Sequence, residues 1–129
     1  MATIKKFEEL EIWQLARIFS REIYKITKYP EFSRDFKLID QIRGSSGSVM
    51  DNIAEGFGRG GNKEFSNFLT ISVGSANESQ SQLYRALDQK YIDKTEFTVL
   101  YNKAEEIIHK TGKFIQYLKG SNYRGIKYK

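Results

Sequence analysis

Apolar residues recur at alternating intervals of three and four along almost the whole chain, and the pattern is interrupted at only three places. Ile12, Ala16, Phe19, Ile23 and Ile26 open it, flanked by Trp13, Leu15 and Tyr24. Ile39, Ile42, Ser46, Val49 and Ile53 continue it, then Phe65, Leu69, Ser72, Ala76, Ser79, Leu83 and Ala86, and last Phe97, Leu100, Ala104, Ile107, Thr111, Phe114 and Leu118. A period of about 3.6 residues puts each set on one face of a helix, and no alternating strand pattern competes. The interruptions hold the residues that end helices. Pro30, the only proline, pushes Tyr29 out of the helical region, four glycines fall between Gly56 and Gly61, and Asp93 and Glu96 stand in capping-box spacing. Ser33, helped by the charge of Asp35, is the expected cap of the second helix, Asn62 that of the third, and Gly120 closes the fourth.

The helices so predicted span about 7–28, 34–56, 63–89 and 94–119, and residues 121–129 form a basic tail expected to be flexible. Connections of a few residues cannot carry the chain to the far end of a helix, so successive helices must be antiparallel. The expected fold is therefore all-α, an antiparallel up-down-up-down four-helix bundle in one domain, with the shallow crossing that heptad-like spacing favours. Leu15, Tyr24, Tyr101, Ile108 and Ile115 lie beyond a single stripe on the first and fourth helices. Such a second apolar face implies either wider burial inside the bundle or a second copy of the chain.

Composition removes several chemistries. With no cysteine and one histidine, His109, the chain has no disulfide, thiolate metal site, cysteine nucleophile or pair of imidazoles. No run of about 18 uncharged apolar residues occurs, and the start, MATIKKFEELEIW, interleaves charge with apolar residues, so no membrane span or signal peptide is expected and the protein reads as cytoplasmic. The net charge of +5 is unevenly placed: residues 93–129 carry eight basic and four acidic side chains, whereas 33–61 and 62–92 are balanced. After Glu106 the chain carries Lys110, Lys113, Lys119, Arg124, Lys127 and Lys129 and no acid. That stretch suits a polyanion, or else only offsets a helix dipole and keeps the surface solvated. Tyr117, Tyr123 and Tyr128 are interleaved with it and can stack on unpaired bases.

Asn52, Glu55 and Glu78 lie beside the apolar stripes of adjacent helices, where a carboxylate pair can do acid–base work or hold a divalent cation. A carboxylate metal site in a bundle draws Glu-x-x-His pairs from several helices, however, and Glu106 with His109 supply one. Asn52 and Glu55 are expected instead to hydrogen-bond to the third helix or cap the loop, fixing register. The Gly-Phe-Gly-Arg-Gly-Gly run lacks Gly-Lys-Ser/Thr and follows no strand, so it is not a nucleotide loop, although Arg59 within it can touch a phosphate. No enzyme activity, metal or cofactor is expected.

Small residues crowd QIRGSSGSVMDNIAEG, residues 41–56, and KEFSNFLTISVGSANES, residues 63–79, which would let two helices approach closely. Together with FEELEIWQLA at 7–16, the Gln-Ile-Arg from Gln41 to Arg43, the Asn-Ile-Ala-Glu-Gly from Asn52 through Glu55 to Gly56, and the Gly74-Ser75 pair preceding Glu78, this resembles the four-helix-bundle proteins of the 23S rRNA intervening-sequence family. Gly44 stands where that family usually has a second arginine, and Ser79 where an aliphatic residue is usual. The resemblance implies a small cytoplasmic bacterial protein, related to homopentameric accessory proteins of diversity-generating retroelements that are basic and bind nucleic acid. It makes Gln41, Asn52, Glu55, Gly56, Gly74, Ser75 and Glu78 structural motif residues. Arg43, Arg59, Lys110, Lys113, Lys119, Arg124, Lys127 and Lys129 are then the candidate contacts to RNA or DNA. The alternative is a protein-interaction module that docks a partner enzyme through an apolar face or the basic tail.

Overall fold

The computed structural model describes residues 3–120. They form an all-α four-helix bundle of α1 (Glu11–Ile26), α2 (Phe36–Gly58), α3 (Asn62–Asp88) and α4 (Lys94–Gly120), with no strand among the described residues. Each helix packs on the next in sequence and α1 closes the ring against α4, the arrangement that short antiparallel connections require. Every residue of the four apolar series is buried except Phe114, which is half-buried. The partly buried residues Leu15, Tyr101, Ile108 and Ile115 pack against that core, so most of the second apolar face belongs to the bundle itself. Tyr24 stays exposed.

The ends of the helices depart from the sequence expectation where side-chain packing outweighs local spacing. The first helix begins at Glu11, not Phe7: Phe7–Glu9 make one 3-10 turn and Leu10 is extended. An unbroken helix would carry Phe7 and Trp13 to different faces, whereas the break docks Phe7 edge-on against Trp13, ring centres 5.0 Å apart, and buries Leu10. Gln14 Nε2 secures the turn by donating to Glu8 O at 2.8 Å. The cap of α2 is Asp35, whose Oδ1 accepts from Leu38 N at 3.1 Å, and not Ser33, whose hydroxyl donates to Pro30 O at 2.7 Å within the preceding 3-10 turn. Asn62 is already inside α3, whose N-cap is the extended Gly61. At α4 the capping box forms as its spacing predicts, with Glu96 N donating to Asp93 Oδ1 (2.8 Å) and Asp93 N to Glu96 Oε1 (2.9 Å).

The connection after α3 is a Schellman turn that no glycine announces. Tyr91 N donates to Ala86 O and Lys90 N to Leu87 O, both at 2.9 Å, and Lys90 takes the left-handed conformation at φ 62°. Tyr91 then stacks on Phe32, ring centres 4.9 Å apart, which ties this turn to the connection between α1 and α2.

The α2–α3 seam is held by hydroxyls. Ser45 Oγ donates to Gln82 Oε1 (2.6 Å) and lies 2.7 Å from Ser79 Oγ, Ser72 Oγ donates to Val49 O (2.7 Å), and Ser75 Oγ donates to Ser48 Oγ (2.9 Å). Each such bond adds about 0.5–1.5 kcal/mol net, and together they specify one register, because a slip would leave buried hydroxyls unmatched. Ser79 is thus matched by Ser45. Among the described glycines one is packed so closely that a side chain would not fit: a Cβ on Gly56 would sit 2.6 Å from Phe68 Cβ and 3.0 Å from Phe65 Cδ1. Gly47 and Gly74 face open space, as does Gly44, which corrects the expectation for these two members of the small-residue set that they bring helices together within the chain.

Candidate nucleic-acid interface

Antiparallel topology decides which cations become neighbours. The start of α1, the end of α2, the start of α3 and the end of α4 share one end of the bundle. Arg59 and the α4 lysines Lys110, Lys113 and Lys119 therefore fall at that end, joined by Lys63 in the first turn of α3 and by Lys5 and Lys6 ahead of α1. Lys63 escaped the sequence reading because it stands alone on a charge-balanced segment; only the fold brings it beside Lys119.

The geometry of these groups differs. Lys110 Nζ pairs with Glu11 Oε2 at 3.1 Å, and both line a groove of about 280 Å³ with Ile12, Lys113 and Phe114. Lys113 and Tyr117 are exposed on the same stretch of α4, Tyr117 beside Phe114 with ring centres 6.1 Å apart. Lys119 turns toward α3 and lines a second cavity, of about 330 Å³, with Asn62, Lys63, Ser66, Asn67 and Leu118. Arg59 Nη2 pairs with Glu55 Oε2 at 2.8 Å, and its guanidinium lies 4.9 Å from the centre of the Phe68 ring. Both ion pairs sit in water, where such pairs are worth about 0–1 kcal/mol, so a phosphate can displace either carboxylate at small cost. Glu8, Glu9 and Glu64, all exposed, temper the potential of this end.

Arg43 does not join the group. It lies two turns into α2, at the opposite end, with its guanidinium 4.2 Å from the centre of the Tyr24 ring. Its Nε and Nη2 both donate to Thr27 Oγ1, at 3.0 and 2.7 Å, and Thr27 in turn donates to Tyr24 O at 2.8 Å. This clamps α2 to the end of α1, a structural task that occupies the planar face and the fork with which arginine would read a phosphate. Arg124, Lys127 and Lys129, with Tyr123 and Tyr128, lie outside the described residues, as does the whole expected tail 121–129.

The motif residues take structural positions. Gln41 Oε1 accepts from Arg85 Nη1 on α3 at 2.9 Å. Asn52 Nδ2 donates to Ser48 O (2.9 Å) and Ser48 Oγ (2.8 Å) on its own helix, so it reaches α3 only through the Ser48–Ser75 bond. Glu55 pairs with Arg59 in the loop that follows α2. Gly56 lies under Phe68, Gly74 faces open space, and Glu78 is exposed. Among the described residues no three His, Cys, Asp or Glu side chains come together as a metal site, and no helix is long and apolar enough to cross a membrane.

The sequence profile of the family described as 23S rRNA-intervening sequence protein matches residues 8–113. A crystal structure from Bacteroides thetaiotaomicron VPI-5482, a protein of unknown function from the S23 ribosomal protein family, superposes with a TM-score of 0.76 at 24% identity, over 81% of this chain and 98% of that one. That likeness shows the fold. A search of curated proteins gives no significant match.

Proposed function

Since the chain belongs to the 23S rRNA-intervening sequence protein family, we propose that it is a non-enzymatic, cytoplasmic, oligomeric accessory or scaffold protein that binds RNA or DNA with little sequence selectivity. The observation that carries this is the gathering of Arg59, Lys63, Lys110, Lys113 and Lys119 at one end of the bundle, to which the sequence bearing Arg124, Lys127 and Lys129 is attached. Those residues offer phosphate contacts. Tyr117, exposed among them on α4, offers a stacking surface for unpaired bases.

Self-association, with five copies as the expected number, is supported by Gly44, Gly47 and Gly74. Each costs about 1 kcal/mol of helix propensity relative to Ala, and nothing among the described residues needs the missing Cβ. Ile71, 52% exposed on α3, adds apolar surface one turn from Gly74. A ring of copies would repeat one modest positive end several times and gain avidity.

The test is fluorescence anisotropy of a labelled single-stranded RNA at several salt concentrations, with sedimentation velocity on the same sample. Binding should weaken steeply with salt, by about 0.7 in the logarithmic slope for each phosphate contacted. It should weaken about equally for unrelated sequences when Arg59, Lys113 and Lys119 are replaced by Gln. A sedimenting species of 15.0 kDa, or affinity indifferent to salt, would favour the second reading. That reading is a protein-interaction module, and Phe36, 76% exposed at the start of α2, is the feature that speaks for it.

A further inference from the structure

The cavity between the start of α3 and the end of α4 carries an unmatched donor. Ser66 lines it and is 3% exposed, yet its Oγ has no hydrogen-bond partner. A buried hydroxyl without a partner is costly, and an acceptor placed against it removes that cost. The backbone points to the same acceptor. The N-cap of α3 is Gly61, with no side-chain cap, and the first intrahelical bond of this 27-residue helix is Phe65 N to Gly61 O at 3.0 Å. The amides of Lys63 and Glu64 precede that bond, at the end of the helix where the dipole favours negative charge. Lys63 and Lys119 bring two ammonium groups to the rim, and Asn62 and Asn67 bring carboxamides. Among the described residues its wall contains no carboxylate; Glu64, the acid of the first turn, is not part of it.

We propose that this cavity is a binding site for a phosphate group, capping α3 through its first-turn amides, accepting from Ser66 Oγ and neutralised by Lys63 and Lys119. It deepens the nucleic-acid reading, and rests on that reading only for the source of the phosphate, which is either free in solution or carried at the 5′ end of an oligonucleotide. A volume of about 330 Å³ admits a phosphate with its remaining water and leaves an outlet for an ester.

The experiment is a ¹H–¹⁵N titration of the full chain with inorganic phosphate against sodium chloride at matched ionic strength. Saturable shifts confined to the amides of Lys63, Glu64, Ser66 and Asn67 are expected. Ser66→Ala removes only a hydroxyl that has no partner, so it should leave the melting temperature of the free chain unchanged or higher while weakening phosphate about tenfold, as losing one charge-assisted hydrogen bond does. Lys63→Gln should act similarly. Absence of saturation, or saturation indifferent to both variants, overturns the proposal. A pair of short oligonucleotides with 5′-phosphate and 5′-hydroxyl ends separates the sources. Shifts with inorganic phosphate but with neither oligonucleotide keep the site and remove the nucleic-acid reading. Binding of both oligonucleotides without shifts at these amides does the reverse.

Discussion

Gly56 offers a quantitative check on the α2–α3 seam, because helix propensity and packing pull its replacement in opposite directions. Ala in a helix interior is favoured over Gly by about 1 kcal/mol. A methyl at position 56, however, would meet Phe68 Cβ at 2.6 Å, an atom tied to the α3 backbone that cannot swing aside, and Phe65 Cδ1 at 3.0 Å. Forcing such a contact costs about 1–3 kcal/mol in a packed interior. Gly56→Ala should therefore range from neutral to about 2 kcal/mol destabilising after the propensity gain. Gly47→Ala, with nothing within 4 Å of the added methyl, should stabilise the isolated fold by up to about 1 kcal/mol. In a domain of this size a kcal/mol moves the melting temperature by about 3–5 °C, so the two variants should be separated by several degrees in thermal unfolding followed by circular dichroism. A Gly56→Ala protein at least as stable as Gly47→Ala would refute the close approach. Loss of oligomer in Gly47→Ala without loss of helix would mean that this glycine is kept for contact with another copy.

Three further outcomes test separate parts of the structure. Lys90→Gly should raise stability in urea by about 0.5 kcal/mol, since a left-handed lysine is strained by more than the entropy a glycine costs; a destabilised variant would contradict the Schellman turn. Ser45→Ala should cost more than Ser79→Ala, about 1–3 against 1 kcal/mol, because the first strands Gln82 Oε1 while the second leaves Ser45 its bond to Gln82, and equal losses would count against the hydroxyl network. The Tyr29 phenol, donating to Glu96 Oε2 at 2.5 Å, is pushed up to about 12, chiefly by that bond. A raised phenol contributes its full stabilisation below about pH 10 and loses it as pH climbs through about 12, so Tyr29→Phe should be less stable than the parent at neutral pH and converge on it across that window. Parallel curves would exclude the contact.

What the sequence discloses follows from the range of the interactions involved. The apolar series of all four helices needed only the helical period and proved buried, apart from the half-buried Phe114. The α4 capping box is equally local, three residues apart, and formed as spaced. Caps and breaks that depend on tertiary packing were not legible: Leu10 leaves the helix so that Phe7 can reach Trp13, and Asp35 replaces Ser33 as a cap while also accepting from Tyr91 OH at 3.0 Å, 56 residues away. Lys90 adopts a conformation that composition gives no reason to assign to lysine.

The candidate interface divides along the same line. Lys110, Lys113 and Lys119 share an acid-free stretch of one helix, so a count of charges finds them. Arg43 and Lys63 cannot be sorted by counting, because each stands in a charge-balanced segment, and the fold gives them opposite tasks. Arg43 falls opposite the end of α1, where Tyr24 and Thr27 take its ring-stacking face and its fork, while Lys63 falls opposite the end of α4, where Lys119 and an unpartnered hydroxyl line the same cavity. Two lysines lining one cavity repel each other and gain nothing for the isolated chain. That arrangement becomes favourable when an anion occupies the cavity, and charge reversal at one position discriminates the two roles. Lys63→Glu should leave the fold as stable or more so at low salt, by relieving repulsion with Lys119, and should abolish the response to phosphate. Arg43→Glu should instead lower the melting temperature and leave that response intact. If Lys63→Glu unfolds the bundle, or Arg43→Glu does not weaken it, the assignment of one cation to binding and the other to structure is wrong.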